Sequence, residues 1–194
     1  ILSDAMIGPA LAARVRAAGG RSFVVNAKSG QSFTQSSTDT FAMDVDGEDN
    51  YTQLLNHLNG KFAGPLKIVH LWGAGVAVEG VDGISQEQVE RQQRMGYGSA
   101  LHMIHALGAF ALKQPMESRL ALVTSGTQSI LGDSSEALTV LQAPLWGLGK
   151  VIALEHPEVS CVRIDLDAAQ STEVSERAIF AELNQTGFAD DQIG

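Results

Sequence analysis

Cysteine is nearly absent from this sequence, and long apolar runs are absent altogether. Cys161 is the single cysteine among 194 residues, so the chain cannot form an internal disulfide. No apolar run approaches the roughly 20 residues that are needed to cross a bilayer. Residues 1–20 lack the order of basic start, apolar stretch and cleavage site that marks a signal peptide. These absences predict a cytoplasmic protein without a membrane segment.

Positive charge is also scarce. The chain has 13 lysines and arginines against 22 aspartates and glutamates, which gives a formal net charge of −9. This balance favours solubility and argues against nucleic acid or an anionic membrane surface as a partner. The remaining composition is that of an ordinary globular domain, with 44% hydrophobic residues and enough length for one core. We therefore expect residues 1–194 to form a single domain.

Apolar segments of strand length alternate with amphipathic segments of helix length. This alternation is typical of parallel βαβ units, and nearly continuous apolar strands fit a sheet that is buried on both faces. The pattern predicts an α/β fold with a doubly wound parallel sheet flanked by helices. Residues 28–38 are polar and turn-rich and are interpreted as a flexible loop. The predicted strands are 23–25, 66–72, 119–124 and 160–165. The predicted helices are 5–18, 48–58, 86–112 (mostly helical, with Gly96 and Gly98 as weak points), 137–155 (interrupted early by Pro144) and 172–184.

The turn before the first predicted helix does not suit a dinucleotide. A Gly-x-Gly-x-x-Gly turn lets the backbone approach a pyrophosphate at the helix N-terminus. Here Gly8 is the one glycine available, Asp4 places negative charge near the phosphates, and Pro9 supplies no N–H donor. Lys28, soon after the second strand, could pair with a cofactor 2′-phosphate, but a solvated loop lysine is the favoured interpretation. The sequence therefore predicts no cofactor-binding residues.

A catalytic tyrosine is also missing. Short-chain dehydrogenases place a lysine four residues after a tyrosine on one helix face, where it lowers the phenol pKa for proton exchange with the substrate. The comparable helix here has Lys150 four residues after Trp146, and an indole N–H does not ionise usefully. Neither Tyr51 nor Tyr97 has a lysine four residues on. The serines of the corresponding stretch have no such partner, and we predict no catalytic residue among them: Ser125, Ser129, Ser134 and Ser135.

A metal site is poorly supported. His102 and His105 share one face of a predicted helix, but no cysteine or suitably spaced carboxylate joins them. Two pairs of aspartates follow strands, and strand ends and caps explain them without acid–base chemistry. These pairs are Asp44 with Asp46, and Asp165 with Asp167. We predict no metal ligands.

Several segments together resemble one family. The most specific is Gln-Ala-Pro-Leu-Trp-Gly-Leu-Gly-Lys-Val-Ile-Ala-Leu-Glu-His-Pro at 142–157, preceded by 69–72 and 122–126 and followed by 161–167. In this order they resemble the N-terminal structural subdomain of ketoreductase regions in modular polyketide synthases. The resemblance covers residues 66–167 best and extends more loosely over the chain. It implies a truncated Rossmann-like fold.

The resemblance implies a division of labour between two Rossmann-like halves. The N-terminal half binds no cofactor and braces the C-terminal half, which binds NADPH and reduces a β-ketoacyl chain on an acyl carrier protein. This chain is then expected to be a non-catalytic segment of a longer polypeptide. Residues 1–4 look like the end of a strand whose beginning is missing, and residues 189–194 resemble the start of the segment that leads to the catalytic half.

Two alternatives stay open. The chain could dock a neighbouring polyketide synthase domain without any reductase, or it could be an independent oxidoreductase with an unusual site. If the chain is a structural half or a docking module, its partner is the catalytic half or an adjacent synthase domain, and any interaction with the acyl carrier protein is indirect.

Two expectations concern packing. Trp146 should be at least half-buried, because it lies in an apolar run on a helix that covers the sheet. Residues 100–112 are apolar around more of the helix than one sheet face requires. Either a neighbouring helix of the same domain or the catalytic half should cover this surplus, which comprises Leu101, Ile104, Leu107 and Phe110.

Overall fold

The fold is described by a computed structural model that covers residues 1–3, 6–61, 64–74, 84–113, 117–128, 139–185 and 192–193. The strands are β1 Val24–Ala27, β2 Thr34–Ser37, β3 Thr40–Met43, β4 Leu66–His70, β5 Ser118–Ser125, β6 Val159–Leu166 and β7 Gln192–Ile193. The α-helices are α1 Ile7–Ala17, α2 Glu48–Leu58, α3 Gln86–Gln92, α4 Ser99–Ala111, α5 Ala143–Glu155 and α6 Thr172–Leu183.

Leu2 joins two groups of strands into one sheet. The groups have the orders β2-β3-β1 and β4-β5-β6-β7, and Leu2 forms parallel bridges to Val25 of β1 and His70 of β4. Its N–H donates to Val69 O and its carbonyl accepts from Leu71 N–H, both at 2.8 Å. All strand pairs are parallel except β2 with β3. The order reverses at Leu2, so this is the topological switch point of a doubly wound sheet.

Helices cover both faces of the sheet, and each face has its own apolar core. On one face α2, α4 and α5 pack against side chains such as Ile68 and Leu120. On the other face α1 and α6 pack against alternate residues of the same strands, such as Val69 and Ala121. This two-sided burial explains the continuous apolar strands and confirms the predicted α/β fold. In the described part of the chain, no helix is long and apolar enough to cross a membrane.

Local sequence signals account for several helix ends. At the start of α3, Ser85 and Gln88 form a capping box in which each side chain accepts a hydrogen bond from the other residue's backbone N–H. At the end of α1, Gly19 has a φ of +80°, and the N–H of Gly20 donates to Val15 O at 2.9 Å. This is a Schellman ending, in which glycine takes the left-handed conformation at least cost.

The structure corrects three details of the predicted elements. Residues 28–38 are not all loop, because β2 lies within them and pairs with β3; its four residues are exposed, so no apolar alternation marked it. Residues 86–112 do not form one helix, because a π-helical segment, Gln93–Gly98, separates α3 from α4. Pro144 does not interrupt a helix: it lies in the first turn of α5, after a 3-10 turn at Val140–Gln142. The predicted starts of two helices, at residues 5 and 137, lie outside the described residues.

Candidate functional site

Gly8 lies in the first turn of α1, where a dinucleotide-binding turn would present its glycines. A Cβ added at Gly8 would clash with the Cβ of buried Ser3. Close packing of helix on strand is the task of the third glycine in Gly-x-Gly-x-x-Gly, and the two earlier glycine positions hold Ser3 and Ala5. Gly8 therefore serves packing, and the sequence lacks the glycines that would let a pyrophosphate approach. Asp4 and Ala5 lie outside the described residues.

The segment after β1 is organised by Asp44. The backbone N–H groups of Gly30 and Asp46 donate to its carboxylate, and these bonds, led by that from Asp46, hold its pKa below the usual value. Lys28 is exposed, and its backbone N–H donates to Met43 O at 2.8 Å. Asp44 is thus a loop-organising carboxylate, in agreement with its interpretation as a strand-end residue.

A buried hydrogen-bond network closes the carboxyl ends of β5 and β6. The indole N–H of Trp146 donates to Thr124 Oγ1 at 2.8 Å, and the Thr124 hydroxyl donates to Asp165 Oδ1 at 2.6 Å. The Asp165 carboxylate also accepts from the backbone N–H groups of Thr127 and Gln128, with shortest distances of 2.8 Å. Trp146 is 9% exposed and Asp165 8%. Because each oxygen of Asp165 accepts at least two bonds, the carboxylate is saturated by the protein itself.

Arg163 and Gly149 complete this network. The guanidinium of Arg163 lies over the Trp146 ring, 5.7 Å from its centroid, which is within cation–π range. Arg163 is 2% exposed. A Cβ added at Gly149 would approach Arg163 Cδ to 2.6 Å, so only glycine lets α5 lie this close to the arginine stem. The predicted burial of Trp146 is confirmed, and its neighbours are protein groups.

Lys150 and Ser125, two of the residues that were compared with a short-chain dehydrogenase site, have separate surroundings. Lys150 is exposed on α5. Ser125 is half-buried, and its backbone N–H donates to the buried Gln142 Oε1 at 2.9 Å. The remaining serines, Ser129, Ser134 and Ser135, lie outside the described residues.

Two residues of this network, Trp146 and Asp165, stand out in the sequence, but nothing there connects them. Trp146 was interpreted as a lost tyrosine and Asp165 as a strand-end cap, and the second interpretation is partly right, because Asp165 does accept backbone N–H bonds. Thr124 carried no signal, since a threonine at the end of a buried strand is common. The structure joins positions that are 22 and 41 residues apart. An indole N–H is not ionised at neutral pH, so Trp146 takes part in this network as a hydrogen-bond donor.

A second buried polar group lies at the carboxyl end of β4. His70 is fully buried and shares a hydrogen bond of 2.6 Å between its Nε2 and Ser99 Oγ. Burial lowers the pKa of His70 to about 4, so the imidazole is neutral at physiological pH. Gln92 donates through Nε2 to Gly73 O at 3.1 Å. Gln92 and Ser99 flank the π-helical segment, which anchors it against the end of β4.

His102 and His105, which share one face of the predicted helix, have separate surroundings in the structure. Within the described ranges, no group of three histidine, cysteine, aspartate or glutamate side chains could hold a metal ion. His102 packs its ring 5.7 Å from that of Tyr51 and lies 3.5 Å from Glu48. His105, on the same helix, is exposed.

The apolar surplus on α4 is largely covered from within. Ile104, Leu107 and Phe110 are all at most 8% exposed, and α2 and α5 both contact α4. Leu101 is half-buried. The interpretation that neighbouring helices cover this helix is therefore the better one. Leu112, at the end of this segment, is exposed. The other large exposed hydrophobic side chains among the described residues lie outside the segment: Met6, Tyr97, Val140, Val151, Leu154 and Val174.

Solved structures with the same fold include reductases. The chain superimposes on a multidomain structure of a keto acid-selecting NRPS module, which contains a ketoreductase, with a TM-score of 0.74, 21% identity and coverage of 96% of this chain and 15% of that one. An N-terminal ketoreductase from the macrolactin assembly line gives a TM-score of 0.67, 18% identity and coverage of 95% and 36%. A short-chain dehydrogenase/reductase from Vibrio parahaemolyticus gives 0.70, 15%, and coverage of 96% and 93%. The fold is therefore that of short-chain dehydrogenases.

Curated relatives by sequence are polyketide synthases. The chain is 37% identical over 82 residues, 42% of its length, to polyketide synthase GfsA from Streptomyces halstedii. It is 37% identical over 90 residues, 46% of its length, to the pikromycin polyketide synthase component PikAIII from Streptomyces venezuelae. It spans 1% and 5% of the lengths of these two proteins. The resemblance to segments of modular polyketide synthases is thus confirmed.

A family model matches most of the chain, from residue 10 to residue 182. This range includes every helix and strand from β1 to β6, together with the Trp146 network. The chain therefore belongs to the family described as beta-ketoacyl synthase-like, N-terminal.

Proposed function

We propose that this chain is the non-catalytic structural half of a ketoreductase region in a polyketide synthase module. In this role it braces a catalytic half that binds NADPH and reduces a β-ketoacyl chain on an acyl carrier protein. Its direct partner is that half or, where none follows, an adjacent synthase domain. The chain itself contributes no catalytic, cofactor-binding or metal-binding residue.

The bond from Trp146 to Thr124 carries this proposal. By its spacing to Lys150, Trp146 stands where a short-chain dehydrogenase would have its tyrosine. The bond directs the only polar atom of the indole toward a buried threonine. The threonine is in turn committed to Asp165. A substrate carbonyl would have to compete with these bonds, and it would find no ionisable donor. Lys150, the lysine at the matching spacing, is exposed to solvent.

Titration with NADPH tests the absence of cofactor binding. Calorimetry of the chain with cofactor at millimolar concentration should give no saturable heat, because Gly8 alone cannot form the phosphate-binding turn. A catalytic ketoreductase domain titrated in the same buffer is the positive control. A saturable signal with a micromolar dissociation constant would overturn the proposal.

A single substitution tests whether the chain lacks only the catalytic tyrosine or the whole active site. Trp146→Tyr restores the four-residue spacing to Lys150, and we expect the variant to show no NADPH oxidation with a β-ketoacyl thioester.

The bracing role is tested in the longer polypeptide. There Trp146→Ala should lower the thermal stability of the reductase activity, while the exposed control Lys150→Ala should not. Equal stability of the two variants would argue against a brace.

A further inference from the structure

Three buried side chains meet where the end of β4 faces the π-helical segment. His70, Trp72 and Gln92 are each at most 2% exposed. The rings of His70 and Trp72 lie edge to face, with their centroids 5.9 Å apart. The amide of Gln92 reaches Gly73, the residue after Trp72, and donates to its carbonyl at 3.1 Å. All three side chains therefore place polar atoms at a contact that bulk solvent does not reach.

The orientation of the Gln92 amide is fixed by its neighbours. A Cβ added at Gly73 or at Gly96 would lie 3.3 Å from Gln92 Nε2, so the backbone of both glycines confines the amide. Exchanging Nε2 and Oε1 would turn an oxygen toward the carbonyl of Gly73. Gln92 Oε1 is therefore held as an acceptor, and no described residue donates a hydrogen bond to it.

Ser99 fixes the position of the proton on His70. The Ser99 Oγ lies 2.6 Å from Met95 O, 3.2 Å from Gly96 O and 2.6 Å from His70 Nε2. A carbonyl can only accept, so the single hydroxyl proton is donated to the backbone, and Oγ accepts from His70 Nε2–H. The Nδ1 atom of the neutral ring is then an acceptor. In the described part of the chain it has no donor.

The indole of Trp72 supplies the complementary group. Its Nε1–H can only donate, and within the described ranges no acceptor lies in hydrogen-bond reach. Native proteins rarely keep buried polar groups without a partner, because such groups are costly. The contact thus holds one free donor and two free acceptors. Water matches this set, since it can accept one bond and donate two at the same time.

We propose that this contact binds a single internal water molecule, which accepts from Trp72 Nε1–H and donates to His70 Nδ1 and Gln92 Oε1. Three bonds are the usual number for a buried water. A Cβ added at Gly73 would lie 3.1 Å from the Gly96 Cα, and this close backbone approach favours a ligand as small as water. The water ties the end of β4 to the π-helical segment through Gln92. The proposal does not depend on the bracing role.

A crystal structure and NMR spectroscopy of the unmutated chain test whether the water is bound. At a resolution that shows ordered solvent, a water should lie within about 2.7–3.2 Å of Trp72 Nε1, His70 Nδ1 and Gln92 Oε1. In solution, the indole N–H proton of Trp72 should show a nuclear Overhauser effect to water with the sign of a long-lived bound molecule. Nitrogen-15 spectra should place the proton of His70 on Nε2.

Two matched substitutions test whether the water ties β4 to the π-helical segment. Trp72→Phe removes the donor to the water and leaves the direct bonds of His70 and Gln92 in place. Trp146→Phe removes the indole donor of the other network and serves as the control. We expect amide hydrogen exchange within Gln93–Gly98 to become about tenfold faster in Trp72→Phe and to stay unchanged in Trp146→Phe.

Four results would overturn the proposal. The first is a protein group, and not water, within hydrogen-bond distance of Trp72 Nε1. The second is the absence of the Overhauser effect at this indole, and the third is a proton on Nδ1 of His70. The fourth is equal exchange within Gln93–Gly98 in the two variants. The first three are measured on the unmutated chain, so they decide the matter even if a variant does not fold.

Discussion

The two edges of the sheet are built from different interactions. At the carboxyl edge, buried hydrogen bonds join Trp146, Thr124 and Asp165. At the end of β4, His70 forms a hydrogen bond with Ser99. At the amino edge, apolar side chains surround a cavity. Enzymes of this fold bind their ligands outside the carboxyl ends of the strands. In the described part of this chain, Trp146, Thr124 and Asp165 bond to one another at the carboxyl ends of β5 and β6, and a cavity lies at the opposite edge.

The largest expected effect is at the carboxyl edge, with Trp146→Ala. This substitution removes a buried ring and its hydrogen bond, and we expect the free energy of unfolding to fall by about 3–5 kcal/mol. Chemical denaturation measures this loss. The control Trp146→Phe keeps most of the ring but removes the N–H donor, and should cost about 1–2 kcal/mol. If Trp146→Ala were as stable as the wild type, the network would not hold this edge together.

Asp165→Ala should have the next largest effect. The substitution leaves the hydroxyl of Thr124 and two backbone N–H groups, those of Thr127 and Gln128, without their acceptor, and each unsatisfied buried group costs about 1–3 kcal/mol. Allowing for entering water, we expect a loss of about 2–4 kcal/mol in the free energy of unfolding. Asp165→Asn retains one acceptor and can donate to Thr124, so it should lose less. The ranking fails if the asparagine variant is the less stable of the two.

Acid should weaken the carboxyl edge through His70. The pKa of this histidine is about 6.5 when unfolded and about 4 in the fold, so the unfolded chain binds the extra proton between these values. The stability contribution is complete above about pH 6.5 and is lost as the pH falls toward 4, by up to about 3 kcal/mol. Denaturation midpoints measured across this window should fall less steeply in His70→Gln. A parallel slope in both proteins would contradict the assignment.

The sequence predicts the elements whose burial is uniform. β4 and β5 are largely apolar because helices cover both sides, and their positions follow from that pattern. β6 was predicted from its alternation of apolar and polar residues. β2 was not predicted because its four residues are polar and exposed, so no apolar periodicity marks the strand that pairs with β3. The π-helical segment was visible only as two glycines, Gly96 and Gly98, because its geometry depends on anchoring by Gln92 and Ser99.

Residue types at the candidate site were predicted, but their connections were not. The interpretation of Trp146 as the replacement of a tyrosine rests on the lysine spacing. The bonds to Thr124 and Asp165 depend on the parallel register of β5 with β6, which places Thr124 opposite Asp165. No spacing along the chain encodes that neighbourhood. The sequence also left open what covers the apolar surface of α4, because that depends on the positions of α2 and α5.

The mutual bonding of Trp146, Thr124 and Asp165 also limits how this domain can change over generations. Replacing any one of the three leaves a buried partner unsatisfied, so each single step toward an ionisable site passes through a less stable protein. Side chains on the exposed helix faces have no buried partner to leave unsatisfied, so substitutions there cost little stability. Changing this network without loss of stability would therefore require at least two compatible mutations together.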